Sequence, residues 1–446
     1  MTRIRSLVVS PWLWAIVLIA VTVLWGRHLQ RTTPQIFLGA SPLVGRDPVD
    51  GWDWRFGWGL VGAAAVAGIV VLATYRGWWW QMSIRLVIVA TSLAAGVFAV
   101  LLAATDGRDG LLYGAGNSTE YLVNLDIAPP AGTFLRGFVE HIGRYSVHVR
   151  GHPPGFILVL KAIDAVGMRG AWPVVGLSML ATMLLPAAVL VAVKATAGDE
   201  WVRRCAPLGI VAPYALWQVT SADAVYTAVG AWGVSACVLG LRQVRWRAAA
   251  WGTLGGTLLG LLLFLTYGGA TFILTPLVPI VVAWRRGALG VLPTVAAAVG
   301  AGGVVTTVFA LFGFWWFDGA AETRRQYWAG TAQFRPLTYF ALANLAVAII
   351  AIGPIGFDGL VRLCRQRRAL PPIAPLVIGA ALALAASHFS QYTRAEVERI
   401  WLLFYPWLLV GGGLVIANDK RRLAAVAVAV QAATAVVLQA ALVSKW

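Results

Sequence analysis

Residues 84–104 of this 446-residue chain read IRLVIVATSLAAGVFAVLLAA, with Arg85 as the one charged residue. An apolar run of about 20 residues has the length of a helix that crosses a bilayer. Such runs recur from end to end: 59% of the residues are hydrophobic, 12% are charged, and the mean hydropathy is +0.77. A water-soluble domain carries charge on roughly a quarter of its residues. The sequence therefore predicts an all-α polytopic membrane protein.

We expect about 13 transmembrane helices, each near the length that a bilayer requires. No internal repeat or Gly/Ser linker divides the chain, so 1–446 is predicted to be a single integral membrane domain. The predicted spans are 8–26, 57–75, 84–104, 172–193, 205–219, 223–241, 250–267, 270–284, 289–313, 337–357, 371–388, 398–416 and 423–443.

The charge balance indicates the topology. The chain has 35 Lys and Arg residues against 18 Asp and Glu, a net charge of +17. In a soluble protein this excess would indicate a nucleic-acid partner, but in a membrane protein Lys and Arg favour short cytoplasmic loops. A cytoplasmic N-terminus places more than half of the cations and few of the acids in inner loops. We expect a multi-pass protein of the plasma membrane that binds no nucleic acid.

This topology requires that 153–167 does not span. The stretch is apolar, but it is short and contains Lys161 and Asp164. Counting it as a span would turn every later basic loop outward, so we predict a helix that lies at the outer interface. Loops longer than ~12–15 residues are usually functional, and we expect an extracytoplasmic active site with 105–171 as the catalytic loop. The other outer segments are 27–56, 314–336 and 387–399.

Several chemistries have no sequence support. The three cysteines form no CxxC pair, so neither a disulfide framework nor a thiolate metal site is indicated. The chain has no Walker loop, no dinucleotide-binding glycine motif, no HExxH and no nucleophile elbow. Nucleotide hydrolysis and metalloproteolysis are therefore not expected.

The outer segment 117–155 concentrates groups that can do acid–base chemistry. It contains the acids Glu120 and Asp126 and several of the five histidines. Glu120 stands beside Tyr121 at the start of an amphipathic stretch, and a carboxylate at the mouth of an apolar cavity can act as a general base. A solvated acid that caps a short helix behind Ser118 explains the same pattern equally well.

The sequence His152-Pro153-Pro154 fixes the backbone where the loop turns into the interfacial helix, because proline suits the first helical position. This arrangement aims His152 at the site, although an incidental histidine at a rigid helix start is an equal alternative. His148, Arg150 and His152 are candidates for binding an anionic group such as a phosphate. The histidine spacing matches no established metal-ligand pattern, so no metal ligand is assigned, and a divalent cation is the one cofactor left open.

Two more outer positions carry charge at helix ends. Asp223 lies at the outer end of a span, where an ionisable group is a functional candidate and helix capping is the simpler alternative. The segment 387–399 reads SHFSQYTRAEVER. Arg394 and Glu398 are four residues apart and can pair on one helix face. Alternatively, Arg394 or Arg399 binds a phosphate at the bilayer surface.

The order of these features resembles the GT-C membrane glycosyltransferases. An acid with Tyr in the first large outer loop is followed by His-Pro-Pro at a helix start, a Pro-containing span that ends in Ser-x-Asp, and a Gly-rich span that ends near Tyr267. The likeness is to the protein-mannosyltransferase and aminoarabinose-transferase group and to actinobacterial lipid-linked sugar transferases, over about 100–285. The resemblance implies a GT-C-like fold with short interfacial helices in the long outer loop.

The resemblance also implies roles for individual residues. The outer-loop acid that serves as general base corresponds to Glu120, the residue before the Pro-Pro pair that contributes to the donor site corresponds to His152, and the later acid corresponds to Asp223. Tyr267 stands near the position where many members have Lys, which leaves the donor type open.

The identity of the base also stays open. The Asp-Glu doublet common in the family is Thr119-Glu120 here. This departure leaves Asp106, Asp109 and Asp126 as rival bases.

The expected function is an inverting hexosyl- or pentosyltransferase, in which a polyprenyl-phosphate donor gives its sugar to a hydroxyl of a glycan or glycolipid acceptor. A polytopic transporter or lipid flippase is the alternative, and it predicts charges at the bilayer midplane and an inverted repeat. A non-catalytic scaffold of an envelope-building complex ranks third. Abundant Arg, Ala, Gly and Val with little Lys is typical of a GC-rich bacterial genome, such as that of an actinobacterium.

Overall fold

The computed structural model describes residues 10–33, 35–36, 38, 53–366 and 369–442. Most of the predicted outer segment 27–56, and the extreme ends of the first and last predicted spans, lie outside these residues. Nine helices within the described ranges are long and apolar enough to cross a membrane. They are α1 Pro11–Thr32, α2 Trp58–Arg76, α3 Ile84–Ala103, α4 Ala171–Ala197, α5 Asp223–Leu241, α6 Arg245–Leu265, α7 Val291–Leu311, α8 Leu337–Arg365 and α9 Arg421–Ala441.

Four of the 13 predicted spans are not single long helices in the described residues, which leaves nine helices of spanning length and composition there. The predicted span 371–388 is a helix of 17 residues. The other three are interrupted near prolines, which cannot donate a backbone hydrogen bond and clash with the preceding turn. The interrupted segments contain Asp199–Ile210 and Pro213–Trp217, then Gly269–Phe272 and Leu277–Arg285, then Val397–Ile400, Trp401–Leu403, Tyr405–Leu409 and Val410–Leu414.

The first interrupted segment still runs from one end of the helical layer to the other. At the end where α3 begins, Arg203 Nη1 donates to the backbone carbonyl of Met82 at 2.8 Å. Beyond the other end of α3, an added Cβ on Gly114 would lie 1.8 Å from the carbonyl oxygen of Thr220. Residues 203–220 therefore cross the layer, and Asp223 lies at the end that carries the loop 105–171.

Glycines allow α6 and α7 to pack backbone against backbone. A Cβ on Gly252 would lie 2.3 Å from the carbonyl oxygen of Thr294, and one on Gly256 would lie 2.0 Å from that of Ala298. Small residues spaced four apart permit this close approach between membrane helices. The pair forms one side of the helical layer.

A buried glutamine supplies hydrogen bonds to backbone groups that a break inside α8 leaves without partners. Gly353 has φ 72° and precedes Pro354, so the helix is interrupted there. Gln431 of α9 is 0% exposed. Its Oε1 accepts from the backbone N–H of Ile355 at 3.0 Å, and its Nε2 donates to the carbonyl of Ile352 at 2.8 Å. Freed backbone groups in a membrane helix need such partners.

Short helices cover one end of the layer. They include Gly107–Gly116, Ala131–His141, Val147–Arg150 and Gly155–Ala165 from the loop 105–171, and Trp316–Ala329 from 314–336. Gly155–Ala165 has 11 residues, too few to cross a bilayer. Lys161 on this helix donates to the carbonyl of Ala128 at 2.8 Å. The charged residues described next lie in this cover and at the helix ends beneath it.

Candidate functional site

Asn124 fixes the shape of the loop around Glu120. Its side chain is buried, and Nδ2 donates to the carbonyl of Glu120 at 2.9 Å and to Ser146 Oγ at 2.8 Å. Asn124 Oδ1 accepts from the Ser146 N–H at 2.8 Å, and the Ser146 hydroxyl donates to the Glu120 carbonyl at 2.8 Å. Fully satisfied buried networks of this kind are rigid. The backbone at residue 120 is therefore held at a fixed place relative to residue 146.

The helix Val147–Arg150 follows directly and brings His148 to Glu120. His148 Nδ1 lies 2.6 Å from Glu120 Oε1, and the two residues are 5% and 7% exposed. The backbone N–H of His148 also donates to the carbonyl of Thr119 at 3.2 Å. Within the described ranges, the second carboxylate oxygen of Glu120 has no hydrogen-bond partner. Glu120 is thus buried with one oxygen held and the other available.

Arg399 connects the contact between Glu120 and His148 to Asp223. It lies on the short helix Val397–Ile400 and is 4% exposed. Its Nη2 donates to His148 Nε2 at 3.2 Å, and its Nη1 donates to Asp223 Oδ2 at 2.7 Å. Glu120, His148, Arg399 and Asp223 therefore form one continuous chain of polar contacts, which we call the charge chain.

The helix start at Asp223 is built around its carboxylate. The Ser221 hydroxyl donates to Asp223 Oδ2 at 2.7 Å, and the Asp223 N–H donates to Ser221 Oγ at 3.1 Å. Residues 213–217 form a 3-10 turn just before it. The irregular backbone places Asp223 at the top of α5, where its carboxylate reaches Arg399.

Glu396 joins a second arginine to the charge chain. It accepts from Arg335 Nη2 at 3.1 Å and from Arg399 Nη2 at 3.3 Å. Burial alone would raise the pKa of Glu396, but the two arginines outweigh it and lower this pKa to about 2. Glu396 and the preceding Ala395 have φ 62° and 75°. This uncommon backbone turns the carboxylate back toward both guanidinium groups.

Arg394 connects the loop that contains Glu396 to Arg335 and Tyr327. Its Nη1 donates to the carbonyl of Arg335 at 2.6 Å, and Arg335 Nη1 donates to the carbonyl of Arg394 at 2.7 Å. The Arg394 N–H donates to Tyr327 Oη at 2.9 Å, and its guanidinium lies 4.5 Å from the Trp328 ring centre. Arg394 precedes the helix that begins at Val397, so the expectation that it shares a helix face with Glu398 is wrong.

His152 lies beside the charge chain among aromatic rings. Its Nδ1–H donates to the carbonyl of His148 at 2.8 Å, which leaves the lone pair on Nε2. Burial lowers the pKa of His152 from its usual 6.5 to about 4, so the ring is neutral at pH 7. It packs on Tyr121 and Tyr226, whose hydroxyls are 2.9 Å apart. Burial raises the pKa of Tyr121 well above its usual value, so this phenol keeps its proton.

A narrow cleft opens beside Glu120. All space between the lining atoms, including the open mouth, is about 290 Å³, and the part that a water-sized molecule can occupy is about 10 Å³. Tyr121 and Phe156 line it with Glu120, and Ser178 and residues 219–222 face them. Among the described residues that line the cleft, Glu120 is the one charged group, and most of the others are apolar. A carboxylate in such a setting is poorly solvated and well placed for proton transfer.

Other candidate residues lie apart from the charge chain. Asp126 and Asp109 are exposed, and Asp106 is paired with Arg55. Tyr267 packs edge-on against Trp316, with ring centres 5.4 Å apart. Three rivals of Glu120 for the role of base are therefore away from the buried groups.

The last two candidates, Glu398 and Arg150, differ in burial and in hydrogen bonding. Glu398 is fully buried. Arg150 lies on the same short helix as His148, and its buried Nε has no acceptor in the part of the chain that the structure describes. Arg150 is therefore a guanidinium without an internal partner for that donor.

Sequence reasoning missed Asn124, Arg335 and Glu396. Each has a partner that is distant in sequence, Ser146 for Asn124 and Glu396 for Arg335, and a polar residue in a loop gives no sign of burial. One signal existed for Glu396, which stands three residues before Arg399, a spacing that permits pairing.

No group of three or more His, Cys, Asp or Glu residues in the described part of the chain is arranged to hold a metal ion. The side chains assembled here therefore do not fit a metal site.

No protein-family model matches the chain, and no curated protein matches it. Among solved structures, it is similar to the crystal structure of the Archaeoglobus fulgidus oligosaccharyltransferase in complex with zinc and sulfate, with 14% sequence identity and a TM-score of 0.46. The match covers 79% of this chain and 52% of that one. The chain thus spans about half the length of the archaeal protein.

Proposed function

We propose that the chain is a GT-C-type membrane glycosyltransferase, which moves a hexose or pentose from a polyprenyl-phosphate donor to a hydroxyl of a glycan or glycolipid. The observation that carries the proposal is the state of Glu120. It is a buried carboxylate on the wall of a mostly apolar cleft, with Oε1 held by His148 and Oε2 without a partner among the described residues. A positioned carboxylate with one available oxygen is what a general base requires.

In the proposed step, the acceptor hydroxyl gives its proton to Oε2 of Glu120 while its oxygen bonds to the anomeric carbon. The bond from that carbon to the phosphate oxygen breaks, and the electron pair leaves with the polyprenyl phosphate. One displacement inverts the anomeric centre. Glu120 then releases the proton to water, and the carboxylate is restored.

Arg150 is the proposed first contact of the donor phosphate, because its buried Nε has no acceptor within the described residues and guanidinium suits phosphate. Arg399 already donates to Asp223 and His148, so in this proposal it supplies positive charge without leaving its partners. His152, neutral with a lone pair on Nε2, accepts a hydrogen bond from a sugar hydroxyl. Arg394 holds its loop in place.

The proposed orientation puts the N-terminus in the cytoplasm and the charge chain outside. It is supported by basic residues at the opposite end of the layer, where Arg421 donates to the carbonyl of Arg76 at 3.5 Å. Cys364, the exposed cysteine near the end of α8, provides a test. A membrane-impermeant maleimide should label it in inverted vesicles and not in intact cells; the reverse pattern would overturn the orientation.

The activity is tested with purified full-length protein and a panel of synthetic polyprenyl-phosphate hexoses and pentoses, with release of polyprenyl phosphate followed by mass spectrometry. Product NMR then reports the anomeric configuration. Glu120→Gln keeps the side-chain shape and removes the base, so turnover should fall by about 100-fold or more. Glu140→Gln, at an exposed acid of the same loop, is the matched control and should be unaffected.

Three results would contradict the proposal. Turnover of Glu120→Gln near that of the wild type would remove the assigned base. Transport of the labelled donor across vesicles without a glycosidic product would favour a transporter or flippase. Absence of polyprenyl phosphate release from every donor, with full complementation in cells by Glu120→Gln, would favour a scaffold.

A further inference from the structure

Both ring nitrogens of His148 are engaged, and the partners define its tautomer. Nδ1 lies 2.6 Å from Glu120 Oε1, and Nε2 lies 3.2 Å from Arg399 Nη2. A guanidinium has only donors, so Nε2 must accept and cannot carry a proton. The proton is therefore on Nδ1, the ring nitrogen that lies against the carboxylate of Glu120. This tautomer is assigned from the hydrogen-bond network.

The backbone places His148 for this task before any substrate arrives. Its N–H donates to the carbonyl of Thr119, the residue before Glu120. Ser146, two residues before His148, is tied to the Glu120 carbonyl directly and to Asn124. Both ends of the contact between His148 and Glu120 thus belong to one rigid frame, and the imidazole has little freedom to leave the carboxylate.

We propose that His148 is a positioning residue that aims Glu120 at the acceptor and does not touch substrate. The inference rests on the proposed function and adds a role that the sequence does not give, since sequence reasoning made His148 a ligand of the donor phosphate. The close contact of Nδ1 with Oε1 sets the orientation of the carboxylate, which leaves Oε2 for the acceptor proton. Arg399 preserves that arrangement because it occupies Nε2 and so keeps the proton on Nδ1.

Two variants test separately the contact of His148 with Glu120 and its contact with Arg399. In His148→Asn, the amide nitrogen replaces Nδ1 and can still donate to Glu120, but nothing replaces Nε2. In His148→Gln, the amide oxygen reaches the place of Nε2 and can still accept from Arg399, but the donor to Glu120 is lost. His141→Asn is the matched control, because the one hydrogen bond of the His141 side chain among the described residues is to the carbonyl of Gly137 within its own helix.

We expect kcat for polyprenyl phosphate release to stay within about tenfold of the wild type in His148→Asn and to fall about 100-fold in His148→Gln, since misplacing a reacting group by about 1 Å costs that much. The donor KM should change by less than about threefold in both, because no ground-state contact to the donor is removed. A raised donor KM at unchanged kcat in both variants would make His148 a donor ligand. Equal losses of kcat, or none, would also overturn the proposal.

A spectroscopic test does not depend on turnover. Full-length protein labelled with imidazole-15N histidine has five histidines to resolve, and the His148 signal is the one absent from His148→Asn. From the contacts of the ring we expect the proton on Nδ1 and a bare Nε2. A protonated Nε2 overturns the inference. If the wild type releases no polyprenyl phosphate while this tautomer is found, the proposed function fails and the orientation of Glu120 by His148 stands.

Discussion

Replacing Arg399 by glutamine should be among the most damaging single changes in this protein. Arg399 is 4% exposed and donates to Asp223 Oδ2 at 2.7 Å and to Glu396 Oε2 at 3.3 Å. Removing one partner of a buried ion pair costs about 3–5 kcal/mol, because the other charge stays buried without compensation. Asp223 keeps the Ser221 hydroxyl and Glu396 keeps Arg335, which places the expected loss within that range and not above it.

The assay is thermal unfolding of the purified protein in one detergent at one scan rate, with the unfolding rate as a second measure because such transitions are often irreversible. Arg362→Gln is the matched control. Arg362 Nε also lies 2.7 Å from a carboxylate, that of Asp358, but the two side chains are 49% and 22% exposed. A pair of this kind contributes about 0.3–0.5 kcal/mol. The two ion pairs have the same N–O distance and differ in burial, so the comparison shows how burial changes the cost of losing the arginine.

A double-mutant cycle assigns the loss to a partner. In the Asp223→Asn background no buried carboxylate remains at that position, so Arg399→Gln should cost less, with a coupling energy of about 1–3 kcal/mol. The reasoning is refuted if Arg399→Gln destabilises no more than Arg362→Gln. A coupling energy of zero would show that the loss does not arise at Asp223.

Three further outcomes follow from the structure. Gln431→Leu should cost about 2–4 kcal/mol in the same unfolding assay, because it leaves a buried N–H and a buried carbonyl at the break in α8 without partners. Although burial opposes the shift, Arg335 and Arg399 lower the pKa of Glu396 from its usual 4.5 to about 2. The ionised carboxylate therefore stabilises the folded protein fully above pH 4.5, and this contribution is lost as the pH falls toward 2. Glu396→Gln should therefore flatten the stability profile between pH 5 and pH 3. Arg150→Gln should raise the donor KM about tenfold or more, the loss of one charge-assisted hydrogen bond, while Arg144→Gln, at an exposed arginine of the same loop, should leave it unchanged.

The helical membrane fold was predictable because a spanning helix depends on little more than a long apolar run. The sequence of α3 shows this, since its predicted and observed ends agree within one residue. The short helix Gly155–Ala165 was predictable for the opposite reason: Lys161 and Asp164 cost too much in a bilayer. Charge and length together separate helices that cross from helices that lie at the surface.

The candidate site was predictable only in part. The loop acids, the histidine before two prolines and the charged segment ending at Arg399 could be singled out by residue type, and the structure brings Glu120, His148 and Arg399 into contact. Their roles stay predictions. The pairing itself could not be foreseen, because Arg399 is 251 residues from His148. The role of Asn124 could not be predicted either, since it depends on the contact of this side chain with Ser146 and not on the residue type.

Two of the three interrupted spans lie beside residues of the charge chain, and the third lies beside Tyr267. Asp223 follows the break at 211–222, Tyr267 precedes the one at 273–276, and Arg399 lies at the start of the broken stretch 397–414. Irregular backbone at membrane depth is tolerated only where protein buries it or where it lines a cavity. A break in an apolar run therefore needs a compensating structure around it, and a charged residue at the break needs a partner. Two of the three interrupted spans, at 211–222 and 397–414, therefore adjoin residues of the charge chain.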